Sequence, residues 1–598
     1  MMRKIKKALI FIMLMASGFA SETYAVAIAA DSSAKAVIVI GKDANEPERH
    51  AADELADFLG QVTGAKFEIT NKTSANSSNL FVGSQAAKMA DANFSTDGLG
   101  TDGIIIKTVG NNLILAGGKP RGTLYAVYTF LEDYAGCHWW APGASTIPNK
   151  PALTIKDINI RYVPKLNCRD IIMPSAFDPD WSVRNKRIGI APAPQYRAAA
   201  PARGGYLEFW PVLHSFFIVL PPAKYFKDYP EWYSLINGKR QAEPDIHASL
   251  CLTNQKMRRQ FIANLIAEVK RMPDVTYAYI GNPDDAGYPF RCQCVECASA
   301  EKTGSYTDLF VEFTNAMAEE FEKAYPNIPI ALAAYHFTAP PKHTRPRHNV
   351  VVRLDNISNS FSVPVYHERN KEFCEDFIGW TKISPQIHIW TYVVDFTYEL
   401  APYPNLRSFG PDIKYYVDHG VSGITAEGWN SGSNGEMGEL RAWLLAKLMW
   451  NPYQSDDALI KEFTDGYYGS AGQHIRAYLD VIHNAVEASG DWLDLSSSPT
   501  ARFLTFQTLK KSWSYLIAAE DAVKDDKELL RRIKIAQLPV LYTFLARWNE
   551  LRDKAICRGD LWPMQESRED VVKCFTQIVQ ENNIKDHDNS TYLPLGVN

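Results

Sequence analysis

The sequence lacks several features that would place it in a specialised class of protein. No stretch of about 20 apolar residues follows the N-terminal segment, so no stable membrane insertion is expected for the mature chain. No basic patch recurs, and 63 Lys and Arg against 68 Asp and Glu give a formal net charge of −5, which argues against a nucleic-acid partner. Nine cysteines among 598 residues are too few for a disulfide-built scaffold.

The N-terminus has the pattern of a secretory signal peptide over residues 1–25. Four basic residues within the first seven precede the apolar run 8–16, which is too short to span a bilayer. Small residues follow, and cleavage is expected after Ala20 or at the end of the segment. Since the first cysteine is Cys137, no lipidated cysteine follows the signal. The protein is therefore predicted to be exported to a periplasm or to the cell exterior.

Length and apolar periodicity predict an α/β protein of three domains. Residues 31–162 carry short apolar strands and two amphipathic helices, and so indicate an α+β domain. Residues 165–450 alternate short apolar strands with long amphipathic helices. This alternation predicts a parallel sheet and, from seven or eight such units, a central (β/α)8 TIM-like barrel. Residues 451–598 are apolar at helical spacing throughout and predict a C-terminal helical domain.

An active site in such a barrel would lie at the carboxyl ends of the strands. Strands are predicted at 169–173, 249–253, 276–281, 330–335, 350–355, 387–392 and 423–427. A helix cap or a loop hydrogen bond would explain any single polar residue at a strand end. Six polar residues at successive strand ends favour one shared mouth, meaning the opening of the barrel at the carboxyl ends of its strands: Asp284, Asp285, His336, Asp355, Asp395 and Glu427.

Asp284 and Asp285 form the leading candidate for a catalytic pair. Cleavage of a glycosidic bond usually needs two carboxyl groups. A substrate with a 2-acetamido group can instead attack with its own carbonyl oxygen, and then one carboxylate orients the amide beside one general acid. Adjacent carboxyl groups also separate their pKa values, which suits one acid and one ionised partner. The alternative is an ordinary turn, because the run 282–287 is rich in turn formers.

Glu427 is the second candidate for the acid or nucleophile, at the end of the last predicted strand. Aromatic residues make up 12% of the chain, and sugar C–H faces pack on aromatic rings, although large cores use the same residues. Seven residues are predicted to line a sugar site: His214, Asn282, Tyr335, His336, Trp390, Tyr392 and Trp429.

No metal or cofactor is expected from the sequence. Cys292, Cys294 and Cys297 could hold a metal or form a disulfide, but zinc usually needs four ligands and no second pair stands nearby. Cys251 could complete a set only through the fold. A local disulfide or structural clip is therefore the favoured interpretation.

Three motifs in the central region carry a family resemblance. They are the segment from His214 through 229–240, the run 251–254, and Asp284 followed by Cys292-x-Cys294-x-x-Cys297. Together they resemble the bacterial domain of unknown function 4838, associated with glycoside hydrolase family 163, endo-β-N-acetylglucosaminidases acting on complex N-glycans. The runs 51–55, 63–64 and 122–126 resemble the domain that precedes the barrel in α-glucuronidases and hexosaminidases.

The resemblance implies a retaining, substrate-assisted hydrolase that cleaves between the two core N-acetylglucosamines and takes a glycan or glycoprotein as its partner. Asp284 would orient the acetamido group, and the proton donor would be Asp285 or Glu427. Two alternatives stay open. One is an exo-acting glycosidase, glucuronidase-like or hexosaminidase-like, in which Arg353 could bind a sugar carboxylate. The other is a non-catalytic glycan-binding protein.

Overall fold

The computed structural model of the chain describes residues 25–192, 194–211, 214–242, 248–284, 291–335, 337–428 and 435–585. Residues 1–24 of the predicted signal peptide lie outside this range, so that prediction stays a prediction. Within the described ranges, every helix is too short or too polar to cross a membrane.

The N-terminal part is built on a six-stranded mixed sheet. Its first helix begins at a capping box between Asn45 and Glu48, and its last helical segment ends at Gly136, whose φ of 86° is a conformation that favours glycine. The helices are α1 (Glu46–Thr63), α2 (Ser84–Ala90) and α3 (Gly122–Phe130), the last continued by a π-helical turn at Leu131–Ala135. The strands are β1 (Val26–Ala30), β2 (Ser33–Ala34), β3 (Ala36–Ile40), β4 (Ile69–Thr70), β5 (Ser78–Val82), β6 (Ile104–Val109), β7 (Asn112–Gly117), β8 (His138–Ala141), β9 (Ala144–Thr146), β10 (Leu153–Ile155) and β11 (Asn159–Tyr162). The six-stranded sheet has the order β11-β6-β7-β5-β3-β4.

The central part carries the predicted parallel sheet. Its strands are β12 (Cys168–Ile172), β13 (Phe209–Trp210), β14 (Leu235–Ile236), β15 (Lys239–Arg240), β16 (Tyr277–Ile280), β17 (Ile330–Ala334), β18 (Val350–Asp355), β19 (Gln386–Tyr392) and β20 (Gly423–Glu427). Seven of them form one curled sheet in the order β12-β20-β19-β18-β17-β16-β13, and all six pairings are parallel. Strands β16, β17 and β18 are buried along their whole length, as expected for a parallel sheet covered on both faces.

The sheet differs from the prediction in one strand. The apolar run 249–253 stays outside the sheet, where Leu250 makes only an isolated antiparallel bridge to Tyr233. A short apolar run does not distinguish a strand from a buried loop, and this one is a buried loop. The short strand β13 forms the sheet edge instead. Between the edge strands β13 and β12, the described residues make two local contacts: Ile188 forms an isolated antiparallel bridge with Arg169, and Leu207 N donates a hydrogen bond to Gly189 O. These contacts do not add an eighth strand to the sheet, and the closed eight-stranded barrel therefore stays a prediction.

Helices lie between the strands of this sheet in the chain. They are α4 (Pro179–Arg184), α5 (Pro194–Ala199), α6 (Phe216–Val219), α7 (Pro222–Tyr225), α8 (Gln255–Lys270), α9 (Val295–Thr303), α10 (Tyr306–Ala324), α11 (Lys371–Thr381), α12 (Leu406–Asp418) and α13 (Gly438–Trp450). Helices α8 and α10 begin where the side chains of Asn254 and Ser305 accept backbone N–H bonds. Helix α12 continues through Pro411, which lies inside it.

The C-terminal part is helical, as its periodicity predicts. Its helices are α14 (Asp456–Tyr468), α15 (Gly472–Ser489), α16 (Phe506–Ala522), α17 (Lys527–Ala546), α18 (Trp548–Arg558) and α19 (Arg568–Glu581). The connection between α15 and α16 contacts the loop that follows β19, where Leu495 O accepts a hydrogen bond from Phe396 N at 2.9 Å. The domain boundaries themselves stay predictions.

A buried ion-pair network joins the N-terminal part to the central sheet. The carboxylate of Asp102 accepts hydrogen bonds from Arg121 Nε and Arg169 Nη2, each at 2.7 Å, and its side chain is only 5% exposed. Burial alone would raise the pKa of Asp102, but the two guanidinium groups outweigh it and lower the pKa below its usual value. The network therefore stabilises the fold at neutral pH, and this stabilisation is lost as the pH falls through the lowered pKa.

Asp102→Ala is expected to destabilise the protein by about 3–5 kcal/mol, because two buried guanidinium groups lose their partner. The midpoint of urea unfolding, followed by tryptophan fluorescence, measures the change. Asp97→Ala is the matched control, since it removes an exposed carboxylate nearby and should change stability by less than about 0.5 kcal/mol. Equal midpoints for the two variants would contradict the role given to the network.

Candidate active site

A cavity of about 470 Å³ opens at the carboxyl ends of the parallel strands. This volume lies within the range of about 300–1,000 Å³ common for small-molecule sites. Its wall combines carboxylates, aromatic rings and one arginine: His214, Tyr279, Asn282, Asp284, Ala333, Tyr335, Arg353, Asp355, Ile357, Trp390, Tyr392, Phe396, Glu427 and Leu495. Seven of the predicted site residues lie in this wall together with Asp284: Asp355, Glu427, His214, Asn282, Tyr335, Trp390 and Tyr392.

Glu427 is the last residue of β20 and is held by the neighbouring strand. Trp390 Nε1 donates a hydrogen bond of 2.6 Å to Glu427 Oε2. The pKa of Glu427 is raised to about 7, mainly by burial and also by the negative charge of Asp284, while the Trp390 bond and Arg353 oppose the shift. A substantial fraction of Glu427 therefore carries a proton at neutral pH, which fits a general acid.

Asp284 has a different environment in the same cavity. It lies four residues beyond the end of β16, and its side chain is 69% exposed. Tyr335 Oη donates to Asp284 Oδ1 at 3.5 Å, and His214 Nε2 lies 3.6 Å from the same oxygen. Asp284 is thus a solvent-facing carboxylate with two polar neighbours, in contrast to the enclosed Glu427.

His214 is fixed in an uncommon backbone conformation. Its φ is 63°, in the left-handed region, where strained residues often mark functional sites. The ring Nδ1 donates to Asn282 O at 2.9 Å, which fixes the tautomer and turns Nε2 towards Asp284. In this conformation a ring nitrogen of His214 lies 3.6 Å from the exposed carboxylate.

Asn282 presents a free amide donor beside the cavity. Ser249 Oγ and Tyr306 Oη donate to Asn282 Oδ1 at 3.1 and 3.3 Å, so the amide orientation is defined. Its Nδ2 is buried and has no hydrogen-bond partner in the part of the chain that the structure describes. A buried donor without a partner costs free energy, and a ligand oxygen in the cavity would remove that cost.

Asp355 ends β18 and forms a second enclosed acid. Tyr392 Oη donates to its Oδ2 at 2.8 Å, and Ile357 N donates to its Oδ1 at 2.8 Å. Burial raises the pKa of Asp355 to about 7, against the effect of these two hydrogen bonds. Asp355 is held firmly by protein groups and so fits a supporting role better than proton transfer.

Arg353 forms part of the cavity wall from the interior of β18. Its guanidinium lies 4.1 Å from the Phe209 ring centroid and 4.6 Å from that of Trp390, and its Nη2 donates to Thr425 Oγ1 at 2.7 Å. The residue is 3% exposed. Its charge therefore lies against two aromatic rings and opposes the upward shift of the Glu427 pKa.

Some predicted site residues are placed elsewhere or are not described. Asp395 is not part of the cavity wall, and it caps a loop by accepting the backbone N–H groups of Thr397, Tyr398 and Ser497 at 2.7 to 2.8 Å. The prediction that it shares the mouth was wrong, because a loop carboxylate satisfies its own backbone first. Asp285, His336 and Trp429 lie outside the described residues, and their roles stay predictions.

The sequence did not identify several wall residues. Tyr279 could have been predicted, because side chains alternate between the two faces of a strand and Tyr279 is on the face of β16 that is turned towards the cavity. Phe396 and Leu495 carry no signal, since Leu495 reaches the cavity from the C-terminal helical part.

The curled parallel sheet, with an acidic and aromatic cavity at its carboxyl edge, gives the chain the α/β fold found in glycoside hydrolases. It aligns with a family GH115 4-O-methyl-α-glucuronidase with specificity for decorated arabinogalactans, at a TM-score of 0.58 and 12% identity, over 93% of this chain and 77% of the other. At this identity the likeness concerns the fold alone. The chain belongs to the family described as Domain of unknown function (DUF4838), which matches residues 139–480.

Other comparisons concern smaller or weaker likenesses. Residues 25–130 match the family described as Glycosyl hydrolase family 67 N-terminus, which confirms the predicted resemblance of the N-terminal part to α-glucuronidases. The structures of CpGH84B and CpGH84D align at TM-scores of 0.47 and 0.46, with 12% and 11% identity, over 93% of this chain and 94% and 90% of theirs. Those scores are too low to carry an argument. No curated protein matches the chain.

Proposed function

We propose that the protein is a glycoside hydrolase in which Glu427 is the general acid and Asp284 is its ionised partner. The observation that carries the proposal is the unequal placement of two carboxylates in one cavity. Glu427 is enclosed beside Trp390, whereas Asp284 faces solvent. Two carboxyl groups in different environments are the usual means of supplying one proton donor and one anion.

The proposed substrate class is a 2-acetamido sugar, and the proposed reaction is that of a retaining endo-β-N-acetylglucosaminidase on complex N-glycans. Support comes from the resemblance of the three central motifs to family 163 and from membership of the DUF4838 family. The exposed side chain of Asp284 is also accessible to a large substrate such as a glycan. Export by the N-terminal signal would bring the enzyme to extracellular glycoproteins.

In the proposed first step, the acetamido oxygen attacks the anomeric carbon while Glu427 gives its proton to the departing oxygen. Asp284 accepts a hydrogen bond from the amide N–H and stabilises the positive charge that develops as the five-membered ring closes. In the second step the Glu427 carboxylate takes a proton from water, which attacks the anomeric carbon and reopens the ring. Two inversions give net retention, and Asn282 Nδ2 is placed to donate to a substrate oxygen.

The test is incubation of the full chain with an N-glycosylated glycoprotein, followed by mass spectrometry of both products. We expect free glycans ending in one N-acetylglucosamine and a protein that keeps one N-acetylglucosamine on each cleaved site. Tight glycan binding with intact glycoprotein would overturn the enzyme proposal in favour of a glycan-binding protein. Release of the whole glycan, or of single terminal sugars, would overturn the endo assignment.

One observation favours a second candidate, an exo-acting glucuronidase. Arg353 belongs to the cavity wall, and its buried Nε has no hydrogen-bond partner among the residues described. A sugar carboxylate could use that donor and the guanidinium charge. Hydrolysis of an aryl glucuronide that is abolished in Arg353→Lys, with no release of N-glycans, would favour this candidate over the first.

Activity is expected to fall as the pH rises through about 7, because Glu427 then loses the proton that it must donate. A profile of kcat/KM against pH measures this in the free enzyme. Asp355 titrates in the same range, with its pKa raised to about 7. Asp355→Asn separates the two groups, since the alkaline limb should persist in this variant. If the alkaline limb disappeared in Asp355→Asn, the titration that causes it would be assigned to Asp355 instead of Glu427.

A further inference from the structure

Four buried cysteines from two separate parts of the sequence meet in the central part of the protein. Cys251 lies in the buried loop that stays outside the sheet, and it joins the three cysteines of the Cys292-x-Cys294-x-x-Cys297 run. All four are buried, and their sulfur atoms lie within 4.8 Å of one another. The fold thus supplies the fourth thiol that the local sequence lacked.

The spacing of the sulfur atoms matches tetrahedral coordination. Cys251 Sγ is 3.6 Å from Cys294 Sγ and 3.8 Å from Cys297 Sγ. Zinc–sulfur bonds of about 2.3 Å at tetrahedral angles place neighbouring sulfurs about 3.8 Å apart. A disulfide requires a separation of about 2.05 Å and a single partner. Cys251 is nearly equidistant from two sulfurs, so the arrangement favours a shared central ion over the predicted disulfide.

The surroundings of the cluster suit thiolates. Leu235 N lies 3.3 Å and Arg240 Nη1 lies 3.7 Å from Cys292 Sγ, and both groups donate to it. Cys297 N donates to Cys294 Sγ at 3.5 Å at the start of α9. Backbone N–H groups and a guanidinium around a four-thiolate site offset its excess negative charge and orient its ligands.

We propose that Cys251, Cys292, Cys294 and Cys297 bind one structural Zn²⁺ ion. Binding converts four thiols to thiolates with release of their protons, and four protein ligands leave no open position for substrate. The site is a structural clip rather than a catalytic centre. It fixes Cys292, which follows the connection after Asp284, and Cys251, two residues from the Ser249 hydroxyl that orients Asn282. This proposal does not depend on the proposed hydrolase activity.

The test is the metal content of the full chain, purified without added metal and dialysed against EDTA, by inductively coupled plasma mass spectrometry. We expect one zinc ion per chain in the wild type and in Cys557→Ser, which removes an exposed cysteine of α18. Cys251→Ser and Cys294→Ser should each lose the zinc and unfold at lower temperature. Cobalt supplied during expression should replace zinc and give the visible absorption of tetrahedral thiolate coordination.

The cobalt spectrum of the wild type keeps the proposal testable if the serine variants do not fold. Titration of thiols after denaturation with chelator should find all nine cysteines reduced. Four thiols fewer, with no zinc, would establish two disulfides and overturn the proposal. Free thiols without bound metal, or a coloured protein containing iron instead of zinc, would overturn it equally.

Discussion

Glu427→Gln is expected to lower kcat for glycan release on the order of 100- to 10,000-fold, with KM nearly unchanged. Glutamine keeps the volume of the side chain and the carbonyl oxygen that accepts the 2.6 Å bond from Trp390. It removes only the proton that the leaving oxygen needs. Initial rates of glycan release from one glycoprotein, measured by chromatography of labelled glycans, give the comparison.

Two further measurements distinguish loss of the acid from general damage to the cavity. An aryl glycoside whose leaving group needs no proton should lose much less activity in Glu427→Gln, and the alkaline limb near pH 7 should vanish. Asp494→Asn is the matched control, because this exposed carboxylate lies beside the wall residue Leu495 and outside the proposed chemistry. Full activity in Glu427→Gln together with inactive Asp285→Asn would assign the proton donor to Asp285.

The parallel sheet was predictable because its long strands are buried apolar runs separated by helical periodicity. Strands β18 and β20 occupy the predicted ranges 350–355 and 423–427, and polar residues mark their ends. The run 249–253 was misassigned, since burial alone gives the same apolar pattern in a loop. The two residues of β13 are too few for any periodicity to show.

The candidate site was predictable where chemistry follows directly from position along a strand. Trp390 and Tyr392 alternate with Thr391 on β19, so both rings share one face with the carboxyl groups of the neighbouring strands. Contacts between distant segments were not predictable. Leu495 and Cys251 reach their places through loops whose paths depend on packing, and the spacing of Cys292, Cys294 and Cys297 alone favoured a local disulfide or structural clip over a metal site.

Asp284→Asn is expected to lower kcat for an acetamido substrate by on the order of 100- to 1,000-fold, because the anion that stabilises the developing charge is removed. The asparagine keeps an oxygen that can accept from Tyr335, so the shape of the cavity is retained. Affinity for a thiazoline that mimics the cyclised acetamido group should fall in parallel with kcat. Asp494→Asn again serves as the control and should change neither quantity.

The same variant separates substrate assistance from a protein nucleophile. If Asp284 instead attacked the anomeric carbon, a 2-fluoro sugar with a good leaving group would leave a covalent adduct on the peptide that contains Asp284. The thiazoline would then bind wild type and Asp284→Asn equally. If the acetamido oxygen is the nucleophile, no adduct forms, and a substrate with a hydroxyl in place of the acetamido group is hydrolysed poorly by the wild type. The exposed position of Asp284, 3.6 Å from His214 Nε2, suits the second outcome, because a carboxylate with polar neighbours can hold an amide N–H without approaching the anomeric carbon.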